Sequence, residues 1–200
     1  MNLFHLANVI ALATATLSSE SPTVESSPNF RITGNVGPLD HPLSFIQGWN
    51  LSFYQFDECY QEAVFYSDES YPIFYVNGTD DEFANRKATI HTDQGGPPTR
   101  PYGVGISTEP DEEGRLPVYL SCGEGSPGLQ VAEWPGTVYF ETGTMYVCNT
   151  TKHDDKVFAL FWHEKGKPTP KECVGLELQA WCLDVEGEEH EFQRNSTCYR

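Results

Sequence analysis

The sequence predicts an all-β, disulfide-bonded domain: an antiparallel β-sandwich or barrel, with a β-trefoil as the alternative. Three observations lead there. Apolar residues recur with period two along much of the chain. Gly, Pro, Asn and Asp break those runs roughly every 8–12 residues. Six cysteines, an even number, follow an apolar leader, the pattern of a chain oxidised outside the cytosol.

The chain has 200 residues. Residues 1–17 are apolar from Leu3 to Leu17, shorter than the ~20 residues a membrane span needs. Ala13 and Ala15 form an Ala-x-Ala-like cleavage pattern. No Lys or Arg precedes the run, only His5 and the α-amino group. The segment is read as a signal peptide, so the protein is expected to be secreted and extracellular. Residues 18–28 are rich in Ser, Pro and Glu and are read as a flexible tether. Residues 29–200 are read as one all-β domain. Roughly 170 residues suffice for a real core, which the disulfides supplement.

Val174–Leu183 is the clearest strand. Val174, Leu176, Leu178, Ala180 and Cys182 share one face; Gly175, Glu177, Gln179 and Trp181 share the other. Lys156–Trp162 is apolar on both faces and suits a central strand between packed layers. Further strands are expected at Phe30–Thr33, Leu51–Phe56, Glu62–Ser67, Ile73–Val76, Ala88–His91 and Gly103–Ser107. Others follow at Pro117–Ser121, Leu129–Glu133, Thr137–Phe140 and Thr144–Cys148. One short helix is expected at Thr79–Asn85, with Thr79 as cap and Glu82 closing a capping box. Tyr75-Val-Asn-Gly-Thr79 and Tyr146-Val-Cys-Asn-Thr150 echo each other, which keeps the trefoil open.

Acidic residues number 29 against 12 basic, a net charge of -17. Such a polyanion repels nucleic acid and anionic membranes, so neither is expected as a partner.

The cysteines are Cys59, Cys122, Cys148, Cys173, Cys182 and Cys198. If Val174–Cys182 is extended, Cys173 and Cys182 lie about 30 Å apart and cannot pair. The other pairings stay open. The favoured set is Cys122–Cys148, Cys173–Cys198 and Cys59–Cys182. No Cys-x-x-Cys pair suggests zinc, and no metal or cofactor is expected. Four sequons, at Asn50, Asn77, Asn149 and Asn195, predict N-glycosylation.

Catalytic motifs are scarce. Ser126 lacks the Gly two residues before it that a nucleophile elbow needs. His153-Asp154-Asp155 and Glu188-Glu189-His190-Glu191 lack metal-ligand spacing and are read as solvated charge runs. A glycosidase needs two carboxylates about 5–10 Å apart; Glu133 beside Trp134, and Glu177, are the nominees. The best binding feature is the solvent-side row Glu177, Gln179 and Trp181. An aromatic plate between hydrogen-bonding groups suits a sugar ring. For Trp181 itself the favoured reading is structural, a ring tucked under a neighbouring loop as core.

The stretch from Leu51 to Leu183 resembles small secreted proteins of filamentous fungi that carry a β-rich domain of unknown function. The residues in point are Glu62-Ala-Val-Phe-Tyr-Ser-Asp68, Phe74-Tyr-Val-Asn-Gly-Thr79, Val157-Phe-Ala-Leu-Phe-Trp162 and Leu178-Gln-Ala-Trp-Cys-Leu183. The resemblance implies an extracellular β domain and transfers no catalytic residue.

The expected function is that of a non-enzymatic extracellular protein, a cell-wall or host-surface module that binds carbohydrate or an extracellular protein. The alternative is a secreted glycan-active hydrolase using paired carboxylates. A third is an inhibitor scaffold that blocks a partner enzyme through the loop Gly95-Gly-Pro-Pro-Thr-Arg-Pro101, with Arg100 as the residue on which inhibition would depend.

Overall fold

The computed structural model describes residues 22–55, 58–68, 70–94, 100–132, 136–185 and 189–200. The signal peptide expected at 1–17 lies outside them. The fold is all-β, 54% strand and 5% helix. Its strands are β1 (Val24–Ser27), β2 (Phe30–Val36), β3 (Asn50–Gln55), β4 (Tyr60–Tyr66), β5 (Phe74–Asn77), β6 (Thr89–Gln94), β7 (Arg100–Ile106) and β8 (Leu116–Ser121). They continue as β9 (Leu129–Val131), β10 (Thr137–Phe140), β11 (Gly143–Lys152), β12 (Asp155–Glu164), β13 (Cys173–Cys182), β14 (Gln193–Arg194) and β15 (Ser196–Tyr199).

Nine strands close an antiparallel barrel. Around the ring they run β2–β5–β6–β7–β8–β4–β12–β11–β13, and β13 returns to β2 with Leu176–Cys182 against Val36–Phe30. β3 bridges β2 and β4, the β9–β10 hairpin leans on β13, and β1 pairs with β15. Of the arrangements left open by the sequence, the barrel is the one adopted. The two echoing stretches occupy unequal places: β5 is a short strand ahead of a helix, and β11 is half of a ten-residue hairpin.

Period two explains the core. Phe30, Ile32, Ala63, Phe65, Leu160 and Trp162 point into one large cluster. The other face of β4, β11 and β12 forms a second cluster of Val64, Tyr146, Cys148, Val157, Ala159, Phe161 and Cys173. β12 therefore packs apolar side chains on both faces, as its composition predicts. Arg115 covers the outer cluster, its guanidinium 4.3 Å from the Phe161 ring centre.

The helix α1 (Asp80–Ala84) carries the expected capping box. Glu82 N donates to Thr79 Oγ1, and Thr79 N donates to Glu82 Oε2 at 2.7 Å. The bond from Thr79 N, joined by one that Thr79 Oγ1 donates to Glu82 Oε2 at 2.9 Å, favours the charged carboxylate and holds Glu82 below its ordinary pKa.

Two expectations are corrected. Residues 24–27 of the expected tether form β1, whose backbone pairs with Ser196–Tyr199. The composition reads as disordered, but a waiting strand edge satisfies its hydrogen bonds. The favoured disulfide set is also wrong. The bridges are Cys59–Cys122, Cys148–Cys173 and Cys182–Cys198. Cys148 and Cys173 face each other directly across β11 and β13, Cα atoms 4.4 Å apart, the separation of a non-hydrogen-bonded antiparallel pair. Cys59 and Cys122 flank the Tyr60–Ser121 pair of β4 and β8. Register, which period two cannot supply, chose the partners. Cys173 and Cys182 end one extended strand, as the unpairable spacing required.

Candidate functional site

Antiparallel register builds the most coherent polar face. On β2 and β13, Arg31 lies opposite Trp181, Thr33 opposite Gln179 and Asn35 opposite Glu177. Directly opposed residues share a face, so these six side chains form two parallel rows. Val174, Leu176, Leu178 and Ala180 are buried on the other side. The expected row Glu177, Gln179 and Trp181 is thus assembled on one outer face. Glu177 is exposed; Gln179 and Trp181 are half-buried.

Trp181 is locked in place. Its Nε1–H donates to Thr33 Oγ1 at 2.9 Å, and its ring leans on Tyr199 with centres 5.4 Å apart. Arg31 lies between two rings, 5.3 Å from Tyr71 and 5.8 Å from Trp181. Arg31 also donates to Asn50 Oδ1 at 3.2 Å. Beyond Gln179 the face continues through Asn35, which accepts from Gln47 Nε2 at 2.9 Å. The result is an aromatic-cationic end and an amide-carboxylate end. Such a surface offers ring stacking and hydrogen bonds.

A family model described as a domain of unknown function, DUF7907, matches residues 27–182. The chain belongs to that family. The matched stretch contains both strands of this face. Tyr199 and Cys198 lie outside it. No curated protein and no solved structure matches the chain.

The remaining nominees divide. Asn149 and Asn195 are exposed, and Asn77 is half-buried in β5. Asn50 is only 5% exposed, and its Nδ2 donates to the Asp68 carbonyl at 2.8 Å. Its amide is committed inside the fold. Ser126 Oγ accepts from Ile106 N at 2.8 Å and ties its loop to β7. His153 and Asp154 form the two-residue turn between β11 and β12, both with positive φ. Glu133 and Trp134 lie outside the described residues, as does the loop at 95–99; Arg100 is exposed at the start of β7. Glu188 also lies outside them. Among the described residues, no three His, Cys, Asp or Glu side chains converge as metal ligands. No helix among them is long and apolar enough to cross a membrane.

Two groupings had no signal in the sequence. His190 Nε2 meets Asp93 Oδ2 at 2.9 Å and stacks on Tyr75 with centres 4.2 Å apart. Tyr75 OH donates to Asp93 Oδ1, and its ring leans on His91. His91 is buried, with Nε2 2.8 Å from Thr89 Oγ1. Burial holds the His91 ring below its ordinary pKa, although the nearby Glu124 backbone and carboxylate pull the other way. The second grouping is the buried ion pair of Glu62 and Lys152, 2.8 Å apart. Desolvation, with the Glu62 charge adding to it, pushes the neighbouring Tyr60 up to about 12. The paired residues are 97 and 90 positions apart, so only the fold joins them.

Proposed function

We propose that this chain is a secreted, non-enzymatic binding module whose β2–β13 face takes a carbohydrate. The observation that carries the proposal is the registered double row, with Trp181 pinned by Thr33 at one end and Gln179 and Glu177 beside it. A ring already held in position loses little freedom on binding. Its π-face suits the C–H surface of a pyranose, and Gln179, Glu177 and Asn35 suit the hydroxyls. The three disulfides and the apolar leader support export.

A glycan array followed by calorimetry on the positive sugars tests the idea. Binding is expected for the native chain. Trp181→Ala should weaken it by at least tenfold, about 1.4 kcal/mol. Glu177→Gln and Gln179→Ala should each weaken it less. Native binding that survives Trp181→Ala would move the site elsewhere. Turnover of any glycoside by the purified protein would replace the module with the hydrolase.

A further inference from the structure

A separate hollow lies between β5, α1, β9, β10 and the start of β15. It is a cleft of about 590 Å³, lined among others by Phe83, Arg86, Gln130, Tyr139 and Asn195. Small-molecule sites commonly fall between about 300 and 1,000 Å³. Three features of the lining point to one occupant.

Gln130 Nε2 is shut off from solvent and has no hydrogen-bond partner among the described residues. A buried amide donor left unmet is unfavourable, so the Gln130 side chain, which lines the cleft, gains by turning outward to an acceptor there. Phe83 and Tyr139 supply aromatic rings. Asn195 is exposed and opens the sequon Asn195-Ser196-Thr197; all three residues line the cleft. An adjoining hollow again includes Asn195 and Phe83, with Asp80 and Arg194. The acceptor asparagine of a sequon therefore stands at the edge of a cleft lined by aromatic rings and an amide side chain. N-acetylglucosamine, the first sugar of an N-glycan, has a matching set: an apolar C–H face, an acetamide carbonyl and several hydroxyls.

We infer that the cleft seats the first sugars of an N-glycan attached to Asn195, with Tyr139 beneath a pyranose ring and the Gln130 side chain turned outward so that Nε2 donates to the acetamide carbonyl. The inference rests on the proposed secretion. Attachment joins Asn195 Nδ2 to the anomeric carbon of a sugar delivered as its lipid diphosphate. One Nδ2 proton is lost and the diphosphate leaves as the anion. Once tethered, the sugar meets the cleft at high effective concentration, so weak contacts are enough to hold it. Arg86, which also lines the cleft and pairs with the exposed Glu141, offers guanidinium donors to the hydroxyls.

The test uses the full chain secreted from a eukaryotic host. Glycopeptide mass spectrometry reports which sequons are occupied, and a glycan-releasing amidase is then applied to the native protein. We expect release from Asn195 to be roughly tenfold slower than from Asn149, as for a glycan undocked about a tenth of the time. Tyr139→Ala and Gln130→Leu should each bring the two rates together. Asn195→Gln should raise deuterium uptake in Leu129–Val131. An unmodified Asn195 beside a glycosylated Asn149 overturns the docking while leaving secretion intact. Equal release rates in the native chain overturn it as well. A chain bare at every sequon removes the secretion proposal and this one with it.

Discussion

At the scale of single residues, backbone contact decides more than side-chain chemistry. Gly103 on β7 lies under the Gly123–Gly125 loop. A Cβ placed there would sit 2.2 Å from Gly125 N and 2.4 Å from the Glu124 carbonyl carbon. Gly125 has φ +73 and crowds the Val104 carbonyl in the same way. Two backbones approach because neither carries a side chain at the crossing. Gly103→Ala should therefore destabilise the fold by more than about 2 kcal/mol. A loss smaller than about 1 kcal/mol by urea unfolding would show that the loop moves aside freely. The same loop holds Ser126, whose hydroxyl is committed to Ile106 N. What reads in sequence as a weak nucleophile signal is a fastening.

Elements show where period two suffices and where it stops. The strands expected from Phe30 to Leu183 all formed, most within a few residues of their expected ends. Alternating burial creates a visible pattern, and turn residues mark the limits. The missed elements, β1, β14 and β15, are two to four residues long and carry little alternation. They form because partner edges and the Cys182–Cys198 bridge await them. The three bridges differ in access. Cys59 and Cys122 are exposed, whereas Cys148, Cys173 and Cys198 are buried. Mild dithiol treatment of the native protein should open Cys59–Cys122 first, since attack requires access. Alkylation and peptide mapping would identify the sulfurs, and early label on Cys148 or Cys173 would contradict the ordering. This bridge spans 63 residues, so its loss should destabilise the fold by about 4 kcal/mol in the chain-entropy account.

On the scale of the whole molecule, closure of the barrel brings a titratable ring into the interior. His91 is buried beside Tyr75 and Thr89, near Glu124, Asp93 and His190. Its folded-state pKa is lowered, so acid protonates the unfolded chain first. The His91 contribution is complete above the ordinary histidine pKa of about 6.5 and is lost as pH falls below it. Urea unfolding of the native chain and of His91→Gln at about pH 7.5 and about pH 5.5 would check this. The native chain should lose more stability between those values than the variant. Equal losses would mean that the ring titrates as if unfolded. The net charge of -17 works in the opposite direction: acid relieves self-repulsion, so only the difference between the two chains isolates His91.

The candidate face was legible in part. Glu177, Gln179 and Trp181 share a parity, and parity can be read without coordinates. Arg31, Thr33 and Asn35 were not legible as their partners, because pairing β2 with β13 spans most of the chain and depends on register. The Gln130 cleft was equally hidden, since its walls come from five separate elements. By itself the sequence determined strand content, the capped helix, the charge and the incompatibility of Cys173 with Cys182. Each follows from neighbours a few residues apart, where side-chain periodicity and chain geometry act directly. Barrel closure, disulfide partners, the locked Trp181 and the His190–Asp93 contact were decided only by tertiary structure. Those depend on which strand edges meet and in what register, a choice made by the packing of the whole core rather than by any local run of residues.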